Sequence, residues 1–275
     1  MTTLPPTSKS APESSPESDA GDDMTPLLSE PFASAWAAPA SPGRLGERLS
    51  GRLQQSLDAE RGMVTVRRRR TEPEALADGV HQRWLYRAPE GQALRPGEPR
   101  AARVIELQPG ARLDLAAAGA REFLVVRGSV DVDGELLGLR DFLLLPAGNT
   151  PQLATRDGAH VFVREAEGHA SERTLVRDAE AGWPEFAPGI RRRVLWAGGG
   201  QAALLYRADP GASVPVHSHG HDEECLMVQG ELFLDDVLLQ QGDYQLAPAG
   251  TGHRITETDT GVIIYAHGDL DLQFT

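Results

Sequence analysis

One cysteine, Cys225, is all this chain carries in 275 residues. That excludes an internal disulfide framework and any zinc site built from several thiolates. Basic residues are also short, 27 against 40 acidic ones, for a formal charge of −13. Nonspecific nucleic-acid binding and adhesion to anionic membranes both draw on Lys and Arg, so this balance argues against each. No apolar run approaches the roughly 20 residues that a membrane helix needs. The first thirty residues lack a basic segment followed by an apolar one, the mark of a secretory signal. The expectation is a cytoplasmic protein with no membrane partner and no direct nucleic-acid partner. Aromatics are scarce at 5%, whereas Gly (29) and Pro (20) are plentiful. That mixture predicts many turns and short elements rather than a helical bundle.

Residues 1–42 are rich in Ser, Pro, Ala, Thr and acid, with scattered apolar residues such as Leu27, Leu28 and Phe32. Such a segment buries too little apolar area to offset its ordering entropy, and a disordered tail is expected. Over 43–62 the pattern changes. Leu45, Leu49, Leu53 and Leu57 recur every fourth residue among polar ones, which places them on one face of an amphipathic helix. That face is expected to pack on the protein itself or on a second copy, with a foreign partner as the alternative. The run Arg67–Arg70 reads, in so acidic a chain, as a solvated strand edge pairing with carboxylates.

The rest of the chain is a repeat. Gly128–Leu137 aligns with Gly230–Leu239, and Asp141–Gly148 with Asp243–Gly250, both at an offset of 102. Each copy is a series of short alternating runs punctuated by Gly, Pro and Asp, the signature of an antiparallel sandwich or barrel. Two all-β domains follow, over 63–168 and 169–275.

Four of the eight histidines fall between 217 and 253. On a strand, residues two apart share a face, so His217 and His219 project together. After a short turn Glu223 can face the same interior, and a later turn at Pro248–Gly250 presents His253. Three imidazoles and a carboxylate converging inside a barrel suit one divalent ion, Zn, Fe, Mn, Ni or Cu. In the first copy these positions hold Ala116, Ala118, Arg121 and Pro151, while Gly128, Pro146 and Gly148 persist. That copy keeps the fold and loses the metal chemistry.

At these residues the sequence resembles the cupin superfamily. Gly211, His217, His219, Glu223 and Gly230 fit its first motif at every spacing. Gly242, Pro248, Gly250 and His253 fit its second, where Glu257 stands in place of the usual final Asn. The runs His217–His219, Glu223–Leu226, Gly230–Asp236 and Gly242–His253, with the short link from Gly230 to Gly242, make the second copy resemble the ChrR-type cupin of anti-sigma factors. The resemblance implies two tandem cupin double-stranded β-helix barrels, with zinc as the first choice of metal and Fe, Mn or Ni as others. It also implies a regulatory, stress-sensing role, with a sigma-factor-like protein or a small molecule as partner, and a homodimer. The family's clamp on the sigma factor is a separate zinc domain with a His-x3-Cys-x2-Cys pattern, which a chain with one cysteine cannot build. Related cupins imply the alternative, a non-haem metal-dependent dioxygenase cleaving a β-diketone or an acylphenol. There Glu223 is a ligand that could act as a base.

Neighbouring residues carry plainer readings. Glu224 has the opposite strand parity to Glu223 and is expected as a surface charge or one just behind the ligands. Cys225 is expected as a small buried hydrophobe facing the interior. His221 is expected to be solvated, Tyr206, Tyr244 and Tyr265 to pack in the core, and His81, His160, His169 and His267 to have no role.

Overall fold

The computed structural model describes residues 42–60, 62–116, 118–168 and 170–274. The expected tail lies outside the described residues except for Pro42, and so does His169. Helix α1 (Pro42–Glu60) forms where the leucine spacing predicts it. After it come strands and turns, with a 3-10 turn at Arg68–Arg70 where the sequence suggests a strand edge.

In chain order come β1 (Val64–Val66), β2 (Glu74–Ala77), β3 (Val80–Arg87), β4 (Pro99–Leu107), β5 (Arg112–Asp114) and β6 (Ala120–Gly128). They are followed by β7 (Val130–Val132), β8 (Glu135–Leu137), β9 (Phe142–Leu145), β10 (Gln152–Ala154) and β11 (Ala159–Ala166). The second copy contributes β12 (Thr174–Val176), β13 (Glu185–Ala187), β14 (Ile190–Gly198), β15 (Gln201–Ala208), β16 (Ser213–Val214), β17 (His217–Ser218) and β18 (Glu223–Leu234). Last are β19 (Val237–Gln240), β20 (Tyr244–Ala247), β21 (Gly252–His253), β22 (Thr256–Glu257), β23 (Val262–Asp269) and β24 (Gln273–Phe274).

One sheet runs β12-β9-β6-β11-β4-β3-β2 and the other β1-β20-β18-β23-β15-β14-β13. These are the same sheet twice, with one strand traded at the edge of each. β1 pairs antiparallel with β20 and β12 with β9. A boundary at 168/169 therefore assigns β12 to the second copy by sequence, whereas its hydrogen bonds complete the first sheet. β1 makes the reverse crossing.

The same device locks both traded strands. Arg67 Nη1 donates to Asp243 Oδ2 (2.9 Å) and to the Leu238 carbonyl, while the Arg68 backbone N–H donates to Asp243 Oδ1 (2.9 Å). At the equivalent corner Arg177 Nη1 donates to Asp141 Oδ2 (2.9 Å) and to the Leu136 carbonyl, and Asp178 N–H to Asp141 Oδ1 (2.8 Å). Arg67 thus pairs with a carboxylate, as expected of the four-arginine run.

Strand alternation sorts the apolar residues into three layers. Phe123 and Val125 of β6 fill the first barrel together with Leu113, Leu115, Leu145 and Leu153. Cys225 and Met227 of β18 face the second barrel's interior with Leu232, Leu234 and Leu239. Their neighbours Leu124, Leu226 and Val228 point the other way, into a layer between the barrels with Phe142, Phe162, Tyr244 and Tyr265. Burying each such side chain contributes about 1.5–3 kcal/mol, so this layer rather than the connecting chain holds the barrels together. Gly128, at the end of β6, and Gly230, within β18, have φ +71° and +78°. A Cβ on either would meet a backbone oxygen, of Gly158 or Gly261, at 2.1 Å. Only glycine permits that approach.

Candidate metal centre

Short strands at one end of the second barrel assemble the site. β17 carries His217 and runs antiparallel to β21, with His217 opposite His253. His219 follows two residues later, and Glu223 opens β18. Ligand atoms of His217, His219 and Glu223 all lie within 4.8 Å of one another. The ring of His253 stands outside that tightest set, with its centroid 5.7 Å from that of His217 and 5.2 Å from that of His219. All three imidazoles are buried. The structure therefore brings the four predicted residues to one place.

Each ring is held by something behind it. His217 Nδ1 lies 3.0 Å from the Pro215 carbonyl, which can only accept, so Nδ1 carries the proton and Nε2 is left basic. His253 Nδ1 lies 3.2 Å from Asp235 Oδ2, with the same consequence. Asp235 is itself pinned by backbone N–H groups of Arg254 (2.8 Å) and Ile255 (3.3 Å). Partners of this kind fix the tautomer and orientation of metal-binding imidazoles.

The ionisation states favour ligation. Burial pushes His217 below its usual range and so keeps it neutral. Burial opposes charge on His219 too, but the Glu223 carboxylate prevails and raises it. Glu223 is lowered in turn: burial works against its charge, and His219 with the other two rings outweighs it. His219 Nδ1 and Glu223 Oε2 lie 2.5 Å apart. His219 Nε2, by contrast, is buried with no hydrogen-bonding partner. An orphaned buried nitrogen is expensive alone, and a divalent cation is a partner that satisfies it. The residues present fit one metal ion.

Behind the cluster the barrel is hollow. The cavity, about 60 Å³ open to the centre of a water-sized sphere, is lined by His217, Glu223 and His253 and otherwise mainly by aliphatic side chains. Cys225 lines it, 6% exposed, with Sγ 3.8 Å from Glu223 Oε1. Burial and the neighbouring carboxylate raise its thiol well above the usual range. It is the buried small residue the sequence predicts.

The first barrel shows what replaces the metal. Arg121, at the position of Glu223, is buried and donates through Nε to Glu165 Oε2 (3.2 Å) and through Nη2 to the carbonyl of Ala116, the position of His217. A fixed guanidinium stands where the other copy gathers its ligands.

Sequence reasoning missed four roles. Glu224 is no surface charge: it is fully buried between the barrels, receiving Tyr244 Oη (2.6 Å) and Arg164 Nε. His267 belongs to the same buried group, with Nδ1 3.2 Å from Glu122 Oε1. Tyr206 lines the cavity, whereas Tyr244 and Tyr265 pack between the barrels as expected. Asp235 supports His253, and the repeat holds a clue to it. Asp133 and Asp235 match at the offset of 102, both have φ +53°, and both accept a backbone N–H across the turn. His221, expected to be solvated, is only partly so, with Nδ1 2.5 Å from Asp269 Oδ1.

Comparison with known proteins agrees with this geometry. Residues 171–271 match the family model described as the ChrR Cupin-like domain. Among curated proteins none matches the chain at a significant level. Solved structures resemble it along most of its length. A Nostoc punctiforme protein described provisionally as a dioxygenase shares 12% identity at a TM-score of 0.58, over 76% of this chain and 83% of its own. A Bacillus subtilis oxalate decarboxylase, described with Mn(II) centres, shares 15% at 0.55, over 75% and 77%. The Lactobacillus farciminis oxalate decarboxylase in its formate complex shares 13% at 0.56, over 76% and 87%. At these identities the likeness establishes the fold, two tandem cupin barrels.

Proposed function

With a ChrR-like cupin domain set in a two-barrel chain as the premise, we propose that this protein is a metal-binding regulator that senses a small molecule or an oxidant. His217, His219, Glu223 and His253 would hold one divalent ion, zinc first. The observation that carries this reading is the orphaned buried His219 Nε2, beside the Glu223 carboxylate and two imidazoles whose Nδ1 protons are committed elsewhere. A divalent ion there would supply Lewis acidity beside the cavity. The chain's own part is to keep His217 neutral and the rings oriented, to exclude bulk water and to join β18 to the inter-barrel layer. Through that layer a change at Glu223 reaches the other barrel. A sigma-factor-like partner would have to be taken through the leucine face of α1, since no cysteine-based clamp exists.

The apolar cavity favours a second reading. A metal-dependent dioxygenase acting on a β-diketone or an acylphenol needs a dry, hydrocarbon-lined chamber beside its metal, with Glu223 able to serve as base if displaced. Element analysis of the full chain purified without oxygen or chelator separates the two. About one zinc per chain supports the regulator, and iron that is oxidised or lost in air supports the enzyme. Protein without metal overturns both. The double variant His217→Ala/His219→Ala is expected to lose the metal, and stoichiometric metal retained in it refutes the ligand set.

A further inference from the structure

A hollow lies beside each of the two locked corners, and the two differ in charge. The one beside Arg67–Asp243 measures about 100 Å³ and is lined by Arg68, Arg83, Arg127, His160 and Glu106. Its remaining lining is chiefly apolar, with Val104 and Leu226 from the layer between the barrels. Strand register sets the charged row. His160 of β11 stands opposite Arg127 of β6 on one side and Glu106 of β4 on the other. Arg83 of β3 lies beside Glu106, Nε 3.5 Å from Oε1, an ion-pair contact without a hydrogen bond. Its Nη1 donates to the Thr71 carbonyl, which holds the guanidinium in place. Arg68 comes from the 3-10 turn after β1, and its stem lies so close to Gly242 that no Cβ fits between them. The side chains of Arg68 and Arg127 are exposed and, among the described residues, make no hydrogen bond or ion pair. Three arginines thus face one glutamate in a chain of formal charge −13. Their field reaches His160: burial lowers it below its usual range, Glu106 opposes, and Arg127, Arg68 and Arg83 lower it further.

Nothing in the architecture requires this charge. Asp178 is the counterpart of Arg68, since each follows a corner arginine and donates its backbone N–H to the corner aspartate. There Asp178 accepts from Arg140 Nη2 (2.7 Å) and Arg193 Nη1 (2.6 Å), so those cations are matched. Arg127 corresponds to Gln229 at the offset of 102. His160 corresponds to Ile263, because Ala159 pairs with Gly128 as Val262 pairs with Gly230. Gln229, Ile263 and the paired Arg140 line the hollow beside that corner, with Arg207 and Asp209 as charges of opposite sign. One fold therefore builds the hollow twice, balanced at one corner and cationic at the other. Clustered guanidiniums repel one another, and an anion between them removes that repulsion.

We infer that the hollow beside the Arg67–Asp243 corner binds a small phosphate-bearing anion. Arg68, Arg83 and Arg127 would surround its oxygens, and an attached carbon skeleton would lie against Val104 and Leu226. A phosphate group offers three acceptor oxygens and close to two negative charges, and guanidinium forks match such oxygens in pairs. One water needs about 10–15 Å³ of such volume, so the hollow holds about seven to ten waters, room for a small phosphate monoester. Occupied, it would tie the first sheet to β18 of the second barrel. The site shares no residue with the metal centre and stands apart from that reading.

The test is calorimetric titration of the full-length protein with inorganic phosphate and with phenyl phosphate at low ionic strength, alongside element analysis of the same sample. Each is expected to bind once per chain. Tighter binding of phenyl phosphate identifies the ligand as a phosphorylated small molecule, and tighter binding of inorganic phosphate as the free ion. Arg68→Ala and Arg127→Ala are each expected to weaken phosphate about tenfold, the scale of one charged hydrogen bond, with metal content unchanged. Arg68→Asp, which copies the other corner, should abolish binding. Without phosphate, the melting temperatures of the two alanine variants should be equal to the parent's or higher, because each removes a like charge and no bond. Merely structural arginines would instead lower them. His217→Ala/His219→Ala should bind phosphate as the parent does. No binding at millimolar phosphate, or affinity indifferent to both alanine variants, overturns the proposal. So does affinity lost in the double histidine variant, which would put the phosphate on the metal.

Discussion

Arg164 is the residue whose removal should disturb this protein most. It is 1% exposed and lies between the barrels, donating through Nη1 to Glu122 Oε1 (3.1 Å), through Nε to Glu224 and through Nη2 to the Gly97 carbonyl. Tyr265 and Tyr244 donate to the same two carboxylates. Arg164→Met keeps an unbranched stem and removes the charged guanidinium. Two buried carboxylates are then left without their cation, a loss of about 3–5 kcal/mol when a buried pair is broken from one side. With a denaturant slope near 3 kcal/mol/M, the urea midpoint should fall by about 1–1.7 M. Burial already raises Glu224, with Arg164 opposing it, and without the arginine Glu224 rises further. A folded state that binds more protons than the unfolded one loses stability as pH rises. The deficit should therefore be largest at pH 8 and shrink toward pH 5.5, by up to about 1.4 kcal/mol per pH unit. The triple variant Arg164→Met/Glu122→Gln/Glu224→Gln should recover most of the loss, because the tyrosines still find acceptors. Urea unfolding followed by tryptophan fluorescence reads all of this. A single variant within about 0.3 M of the parent, or a deficit that grows in acid, would falsify the reasoning.

Other outcomes follow from the same geometry. Asp235→Asn should weaken metal binding about 10–100-fold in a chelator competition, since His253 loses the acceptor that fixes its tautomer. Cys225, buried and with its thiol raised, should resist iodoacetamide in the folded protein and react once unfolded; rapid alkylation of native protein would contradict its placement. Asp178 is opposed by burial but held below its usual 3.8 by hydrogen bonds from Arg140 and Arg193. Its stabilisation is present above pH 3.8 and is lost as the pH falls through the folded value. The penalty of Asp178→Asn should thus be full at pH 7 and vanish in strong acid, as read by thermal melts across pH.

The repeat, the barrel fold and the ligand set were legible because each is written in spacing. An offset of 102 aligns Gly128 with Gly230 and Asp141 with Asp243, and the same alignment sets Arg121 against Glu223. Within one chain, residues that persist mark the architecture and residues that change mark the chemistry. Alternation also placed Cys225 on the interior face. It could say that Glu224 faces the other way, but not what lies there.

Only the tertiary structure turned that second face into an interior. Whether an outward side chain meets water or another barrel depends on partners some sixty residues away, and no local period records them. Glu224 thus reads as a surface charge and His267 as an isolated residue until two sheets close over them, with Arg164 buried between. The traded strands are the same case: β1 and β12 match either sheet by pattern, and the Arg67–Asp243 and Arg177–Asp141 corners select the pairing. Tyr206 is the last. Its strand parity allows it to face the cavity, and only the packed barrel sets it in that wall.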